Sequence, residues 1–367
     1  MKHNWEIKKL GEVLNLEYGK PLPDEKRKPD GLYPVYGANG EKDRTDYYFH
    51  DKKSIIVGRK GSAGEINLTE ARFWPLDVTY FVTFNEKEYN LQFLYHLLSK
   101  QNLPKLAKGV KPGINRNEVY SIEITIPPLS EQKRIVAILD EVFAGIKKAK
   151  ENAERNLANA KEVFESYLNG VFANPGEDWE IKTLGDIGKP SMCKRILKHQ
   201  TSISGEIPFY KIGTFGKTPD AFISKEIYNE YRTKYSFPKK GDILISASGT
   251  IGRRVRYDGE PAFFQDSNIV WIDNDEKQVL NDYLYVFYEF CNWKPSKGAT
   301  ISRLYNSDLT SIKIVYPKSI EEQKNILKKI NELSTETKRL EGIYRKKIEA
   351  LEEMKKAVLE KAFRGEM

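Results

Sequence analysis

From Ser130 to Phe172 apolar residues recur at every third or fourth position: Ile135, Leu139, Val142, Ile146, Ala149, Ala153, Leu157, Ala160, Phe164, Tyr167 and Val171, with charged and amide side chains between them. This spacing predicts one amphipathic helix with a single apolar stripe. Pro127, Pro128 and Ser130 supply a start signal, and Asn169-Gly170 with Pro175 supply a stop. At 1.5 Å per residue the helix would be a rod of about 60 Å, too long for a core helix, so its narrow stripe requires a partner of equal length. That partner stands at the other end of the sequence. Between Ser319 and Arg364 the same spacing returns in Ile326, Ile330, Leu333, Thr337, Leu340, Tyr344, Ile348, Leu351, Met354, Val358 and Phe363, opened by a Ser319-x-x-Glu322 capping box.

The segments ahead of the two helices repeat as well. Glu131-Gln132-Lys133 matches Glu322-Gln323-Lys324, and Leu168 to Phe172 matches Leu359 to Phe363 at the same offset. Upstream, Trp5-Glu-Ile-Lys-Lys-Leu-Gly11 matches Trp179-Glu-Ile-Lys-Thr-Leu-Gly185, Gly61-x-x-Gly64 matches Gly249-x-x-Gly252, and Lys108-Gly109 matches Lys297-Gly298. The offset is smaller near the start, so the early part of the second copy carries insertions. A unit of this size is far above solenoid periods and reads as duplication of a whole globular domain plus long helix.

With 367 residues the chain has room for two to three domains. Its two cysteines, Cys193 and Cys291, cannot form a disulfide framework and point to a reducing compartment. The opening Met1-Lys-His-Asn-Trp has no apolar signal region, and no run approaches the ~18 apolar residues of a membrane span, which predicts a soluble, cytoplasmic protein. A net charge of +8, spread over both globular segments, permits nucleic acid as a ligand and is equally compatible with an ordinary basic surface.

Along the chain, residues 1–34 read as an irregular lead, and Pro34-Val-Tyr-Gly-Ala-Asn-Gly40 as a strand end feeding a turn. Ser54 to Val57 is a short buried strand running into Gly58-Arg-Lys-Gly-Ser-Ala-Gly64, Phe73 to Phe84 alternates like strand, and Leu91 to Leu98 is a short helix. Lys105 to Arg116 is a Gly/Pro-bearing basic loop, and Val119 to Ile126 a closing strand. The second copy keeps this order: Gly241 to Ser246 before a glycine turn, strands over Phe263 to Ile272, a helix over Tyr283 to Phe290, a basic loop over Lys294 to Arg303 and a closing strand over Ile312 to Val315. Each globular part is thus mixed α and β and rich in strands.

Motifs that would carry chemistry are mostly missing from the sequence. Gly213-Thr-Phe-Gly-Lys-Thr218 resembles the tail of a phosphate-binding loop, but Lys211 stands where that pattern needs glycine. No G-x-G-x-x-G opens a βαβ unit, no Pro-Pro-aromatic run of the amino-methyltransferase kind is present, and two Cys with four His give no zinc spacing. His50, His96 and His199 are isolated and read as surface or half-buried histidines. An active site within this chain is not expected, nor is a cofactor or metal.

What remains are two glycine turns and two basic loops, one of each per domain. Arg59, Lys60 and Ser62 with the first turn, and Ser246, Ser248 and Thr250 followed by Arg253, Arg254 and Arg256 at the second, offer hydroxyls, amides and cations after a rigid strand. Such groups suit phosphate oxygens, and arginine also reads guanine bidentately in the major groove. The alternative is a tight turn whose glycines serve only backbone geometry. Lys105, Lys108, Lys111 and Arg116 in the first loop, with Lys294, Lys297 and Arg303 in the second, weigh toward binding, because a basic loop recurs at a duplicated station.

Together these features resemble the specificity subunit of type I restriction-modification enzymes. The resemblance rests on Trp5 to Gly11, Pro34 to Gly40, Gly58 to Gly64, Pro127-Pro-Leu-Ser-Glu-Gln-Lys133, Ser248-Gly-Thr-Ile-Gly252 and Glu321-Glu-Gln-Lys324. Each is weak alone, but in this order, twice, over nearly the whole chain, they are specific. One departure is that the second lead has Ile207-Pro-Phe-Tyr-Lys-Ile-Gly213 in place of a Tyr-Gly-Ala-Asn-Gly match. The resemblance implies an α+β fold with two target-recognition domains, 1–129 and 173–318, separated by a pair of long antiparallel coiled-coil-like helices, 130–172 and 319–367, in a pseudo-two-fold duplication. It implies double-stranded DNA, two methyltransferase subunits and restriction subunits as partners, with the S-adenosylmethionine and ATP motifs on those partners. Tyr36, Asn39 and Arg44 near the first Gly/Asn turn, and Lys194, Arg195 and Lys211 in the second lead, join the turn and loop residues as candidate DNA contacts.

The duplication supports the same expectation independently. Antiparallel pairing of the stripes would relate the two units by an approximate two-fold axis and set the recognition domains at opposite ends of a rod of about 60 Å. B-DNA shares that local symmetry, so the domains would meet inverted half-sites of different sequence across an unread spacer. A different class of function stays open on the residues alone: an assembly adaptor that binds proteins and has no DNA sequence selectivity.

Overall fold

A computed structural model of the chain describes residues 4–293, 296–297 and 302–367, for Ser296 and Lys297 the backbone only. In the first copy the elements are β1 (Glu6–Lys9), α1 (Leu10–Val13), β2 (Leu14–Tyr18), β3 (Tyr33–Gly37), β4 (Gly40–Thr45), β5 (Ile55–Gly58), β6 (Ile66–Leu68), β7 (Trp74–Pro75), β8 (Thr79–Phe84), α2 (Leu91–Lys100), α3 (Arg116–Tyr120), β9 (Glu123–Ile126) and α4 (Leu129–Ala173). The second copy comprises β10 (Trp179–Thr183), α5 (Leu184–Ile187), β11 (Gly188–Ser191), β12 (Ile207–Tyr210), β13 (Phe222–Ile223), α6 (Lys225–Lys234), β14 (Ile243–Ser246), β15 (Arg254–Arg256), β16 (Phe263–Phe264), β17 (Ile269–Asn274), α7 (Asn281–Phe290), β18 (Ser296–Lys297), β19 (Ser302–Arg303), α8 (Asn306–Thr310), β20 (Lys313–Pro317) and α9 (Ile320–Arg364).

Strand pairing repeats element by element. The ribbon β1-β9 has its counterpart in β10-β20, the sheet β2-β8-β5-β6 in β11-β17-β14-β15, and the sheet β4-β3-β7 in β13-β12-β16. Even the parallel pairs coincide, β3 with β7 and β12 with β16, so Ile207–Tyr210 occupies the station of Tyr33–Gly37 despite its different sequence. The inserted residues of the second copy form α6 between β13 and β14. Tyr228 of this helix packs into an aromatic core with Phe209, Phe263 and Trp271 of the sheets.

Two compact units result, Met1–Asn156 with Ile343–Met367, and Leu157–Gly342. Each combines one globular part with the near half of its own long helix and the far half of the other. In the first unit Ile135, Leu139, Ala362 and Phe363 share a core with Phe93 and Leu97 of α2, and Lys355 lies 5.4 Å from the Phe143 ring centre. In the second, Phe172, Ile326 and Leu327 join Tyr283 and Phe287 of α7, and Lys329 lies 5.3 Å from the Tyr167 ring centre. In the first unit, residues late in α4 meet residues earlier in α9, as Lys150 meets Glu352 and Phe143 meets Lys355, which makes the pairing antiparallel. Each helix is 45 residues, about 68 Å at the α-helical rise. Every stripe position is at least half-buried except Met354, which is 50% exposed.

Some local expectations differ from the structure. The lead over residues 1–34 holds β1, α1 and β2, because Leu14 and Leu16 alternate into the core and pair with β8. The closing strand begins only at Glu123: Asn115 caps α3 by accepting the Asn117 N–H, which makes helix of Arg116–Tyr120. Phe73 to Phe84 is broken into β7 and β8 by a turn in which Thr79 N–H bonds to the Leu76 carbonyl.

The repeated Glu-Gln-Lys motif has a structural role. Gln132 is fully buried; its Oε1 accepts the Asn90 N–H at 2.9 Å, and its Nε2 donates to the carbonyls of Glu88 and Pro127 at 3.0 and 2.9 Å. Gln323 does the same with Leu280 N–H, Gln278 and Pro317 at 2.9, 2.7 and 2.9 Å. One amide thereby locks the first turn of each long helix to the closing strand and to the start of α2 or α7. All three hydrogen-bonding positions of the amide used here are satisfied inside the protein, as burial demands.

Candidate nucleic-acid interface

In the first unit the glycine turn and the basic loop, distant in sequence, are zipped together. Gly61 N–H bonds to the Pro112 carbonyl at 2.9 Å, Ile114 N–H bonds to the Arg59 carbonyl at 3.1 Å, and Lys60 bridges Gly113. The loop itself closes as a hairpin through Lys108 N–H to Gly113 O and Gly113 N–H to Lys108 O, at 3.0 and 3.1 Å. Gly64 has a φ of +86°, and a side chain there would strike the Pro104 backbone, so this glycine is demanded both by backbone and by the approach of the Leu103–Leu106 turn that carries Lys105.

Around this junction gather Arg59, Lys60, Ser62, Lys105, Lys108, Lys111 and Arg116. Lys60, Lys105, Lys108 and Lys111 are exposed. Arg59 and Arg116 lie 5.4 and 5.0 Å from the ring centre of Tyr18, which stands at the end of β2 and is 47% exposed. Tyr18 in turn packs edge-on against Tyr80 at 5.1 Å. Tyr18 was not among the sequence candidates, because its lead segment read as irregular; the alternation Leu14-x-Leu16-x-Tyr18 is the signal that marks it. Arg59 also donates Nε and Nη2 to the Asp77 carbonyl at 3.0 and 2.7 Å, leaving Nη1 outside that pair. Lys108 pairs with Glu118 across exposed surface, a contact of small energetic weight.

Three other candidates of this unit stand apart. Asn39 is exposed in the β3–β4 turn. Tyr36 is a correction: it is 6% exposed, packs edge-on against Phe73, and its hydroxyl accepts the Glu70 N–H, with burial pushing its ionisation up. Arg44 is likewise built into the fold, donating to the carbonyls of Gly31 and Leu32 and pairing with Glu41.

The second unit repeats the junction with different residues. Leu304 N–H bonds to the Ala247 carbonyl at 2.9 Å and Ser248 bridges Arg303, so the turn again meets the basic loop. Gly249 and Gly252 have φ of +67° and +83°. Ser248 Oγ donates to Asn268 Oδ1 at 2.7 Å, and Arg303 Nη2 donates to the carbonyl of Ser267 and to Asn268 Oδ1 at 2.9 and 3.3 Å. Ser267 holds a left-handed φ of 60°, a strained backbone that the Arg303 contact helps to retain. Arg195, bonded to Asp266 at 2.9 Å, Lys198, Lys211 and Arg303 line a cavity of about 590 Å³ at this place. Four cations against one carboxylate make it a basic, polar recess. Lys211 also pairs with Asp220, and Lys194 lies 4.6 Å from the Tyr235 ring centre.

Here too the structure withdraws candidates. Ser246 is 1% exposed; its hydroxyl donates to the Thr250 carbonyl and accepts the Arg253 N–H, so it closes the turn. Arg254 and Arg256 point to α7, pairing with Glu289 and Asp282 and lying 4.5 and 5.4 Å from the Tyr285 ring centre between them. Arg253 donates Nη1 to the Phe215 carbonyl, and Thr250 is exposed on the turn. Lys297 has its backbone paired with Ser302 in the β18–β19 hairpin, while Lys294 lies outside the described residues. Cys193 and Cys291 are free thiols, buried and half-buried, whose ionisation is pushed up to about 12 by burial. Among the described residues no helix is long and apolar enough to cross a membrane.

A strand-rich domain built twice, each copy with its share of the two long helices and a turn-and-loop surface of the same construction but different residues, defines an internally duplicated α+β protein. The sequence comparisons name its family. The family model described as the type I restriction modification DNA specificity domain matches residues 2–155 and again 176–351, and the chain therefore belongs to the type I restriction-modification specificity subunits. It is similar to a putative type I restriction enzyme specificity subunit of Haemophilus influenzae, S.HindORF215P, with 44% identity over 343 residues, 90% of this chain and 88% of the relative. The HsdS subunit from Thermoanaerobacter tengcongensis shares the fold at a TM-score of 0.65 and 18% identity, over 100% of this chain and 98% of that one. A chain from the structural work on complex assembly and conformational transition of the type I R-M system gives a TM-score of 0.71 at 19% identity, over 100% and 99% of the two chains. Family membership favours the specificity role over the adaptor reading.

Proposed function

We propose that the segments 1–129 and 173–318 are target-recognition domains, each reading one half of a bipartite, asymmetric duplex DNA target. The segments 130–172 and 319–367 then set the unread spacer and dock two methyltransferase subunits, to which restriction subunits add in the full complex. The observation that carries the reading is the duplicated junction of glycine turn and basic loop: Arg59 and Arg116 beside Tyr18, with Lys60, Lys108 and Lys111 on the turn and loop, in one unit, and Arg195, Lys211, Ser248 and Arg303 in the other. Equal frameworks with unequal side chains suit two different half-sites. Lysines on the loops supply sequence-independent phosphate attraction, while arginine, serine and amide groups in the recess are of the kinds that read base edges. The chain serves as a non-catalytic, cytoplasmic component without a cofactor, the chemistry residing in its partners.

The test is reconstitution. Purified chain alone should neither methylate nor cut DNA, whereas the chain with its methyltransferase subunits should methylate one bipartite sequence. Methyl transfer by the chain alone refutes the division of labour, and equal action on all sequences refutes the recognition role.

A further inference from the structure

The motif Trp-Glu-Ile-Lys opens both repeats, and packing inside each unit accounts for most of it. Trp5 is half-buried against the first core, and Trp179 donates its indole N–H to Glu322 at 2.9 Å. The acidic and basic members pair with each other, Lys8 with Glu6 at 2.8 Å and Lys182 with Glu180 at 3.2 Å. The isoleucine alone has no such account. Ile7 is 76% exposed and Ile181 is 68% exposed.

Both stand at the same station of the same ribbon. Ile7 faces Thr125 across β1-β9 and Ile181 faces Val315 across β10-β20, and each neighbour is half-buried and β-branched. The alternate positions, Ile124, Ile126, Ile314 and Tyr316, point into the cores, so the isoleucines mark the outer face. A single exposed isoleucine needs no explanation. The same isoleucine exposed twice does, because a bare apolar side chain gains nothing from water, and the exposed turn at the basic loop shows that such stations are free to diverge: Lys60, which bridges the first basic loop, is replaced at the corresponding bridge by Ser248. An outward apolar residue on a short, open ribbon also invites unwanted pairing, so folding gives no reason to keep it in both copies.

Two surfaces held alike on domains that otherwise differ fit one partner taken twice. Different DNA half-sites would not select a common side chain, and a bare apolar residue has nothing to offer a phosphate. We propose that the outer faces of the β1-β9 and β10-β20 ribbons are equivalent docking points for two copies of one protein subunit, which seats Ile7 or Ile181 in an apolar pocket. Resting on the reading that two methyltransferase subunits bind this chain, the proposal identifies that subunit as the occupant and extends its contact from the helices to the ribbons. The ribbons are continuous with them, since β9 enters α4 through Pro127-Pro128 and β20 enters α9 through Lys318-Ser319.

The experiment is native mass spectrometry of the full chain with its methyltransferase subunit, for the unsubstituted protein and for Ile7→Glu, Ile181→Glu and the double variant. At a concentration that just saturates the unsubstituted chain with two copies, each single variant should hold one copy and the double variant none. Affinity at the altered station should fall on the order of 10- to 100-fold, as for loss of an interface anchor. Ile7→Val should keep both copies. Because both side chains are exposed, melting temperatures of the free variants should stay within about 2 °C of the parent; Ile7→Ser and Ile181→Ser take over if a glutamate variant melts lower. Two copies bound with unchanged affinity in both single variants overturns the docking points, whereas failure of the unsubstituted chain to bind two copies overturns the underlying partner reading.

Discussion

Replacing Gln132 with leucine should destabilise the first unit and leave the second intact. The amide makes three hydrogen bonds from a fully buried position, to Asn90 N–H and to the carbonyls of Glu88 and Pro127. Leucine has similar bulk and no polar atoms, so the substitution strands one donor and two acceptors. The Pro127 carbonyl lies in the buried part of the site and would lose its partner without replacement; the Glu88 and Asn90 groups are partly accessible and would recruit water. At about 1–3 kcal/mol for each stranded buried group, discounted for those two, the loss should be roughly 2–5 kcal/mol. That is a large share of the 5–15 kcal/mol typical of a folded domain. Hydrogen exchange read by mass spectrometry resolves the location: protection should drop in α2, β9 and the first turns of α4, while α7 and β20 exchange as before. Gln323→Leu should give the mirror-image result, through Leu280, Gln278 and Pro317. A loss below about 0.5 kcal/mol, or loosening in the wrong unit, would refute the role of the glutamine as the lock between long helix and domain.

Lys60→Ala and Lys111→Ala should weaken binding to specific and unrelated duplexes alike, and each should make the plot of log affinity against log salt shallower by about one unit; a loss confined to one sequence would move them into base reading. Arg303→Ala removes the side chain that holds the strained Ser267 turn and lines the basic recess, and should cost about 1–3 kcal/mol on the cognate duplex relative to unrelated DNA in a competition assay. Inserting about one turn of helix between Ala149 and Ala160 adds roughly 5.4 Å, so active variants should methylate the same half-sites one or two base pairs further apart, base pairs being stacked about 3.4 Å apart along each strand. An active insertion variant with an unchanged spacer contradicts the helices as ruler.

The elements legible in the sequence are those whose signals are local or repeated. The long helices announce themselves by periodicity, and the doubling of short motifs reveals the duplication. What stayed hidden depends on partners distant in the chain. Gln132 was visible as part of a repeated motif, yet its role required Glu88 and Asn90, which come from another element. Arg254 and Arg256 looked like part of a basic cluster because Arg253 adjoins them, while the acids that hold them, Glu289 and Asp282, arrive with α7. Tyr36 read as a DNA contact at a strand end because the Gly/Asn turn follows it, but β3 is central in its sheet and turns that side chain into the core. Val119 to Ile126 alternates as a strand should, and only the Asn115 cap shows that its start is helical. The junction of glycine turn and basic loop was legible as two separate cation-bearing segments, and their contact was not, since no local pattern encodes Lys60 beside Gly113.

The most direct measurement is the methylation motif itself, read by sequencing that detects modified bases in cells carrying this chain with its methyltransferase subunits. The unsubstituted chain should mark one asymmetric motif of two short half-sites flanking an unread spacer. Exchanging residues 1–128 for those of a relative of different specificity should replace one half-site and leave the other half-site unchanged. A continuous motif, or a change in both halves after the exchange, would contradict independent reading by the two domains.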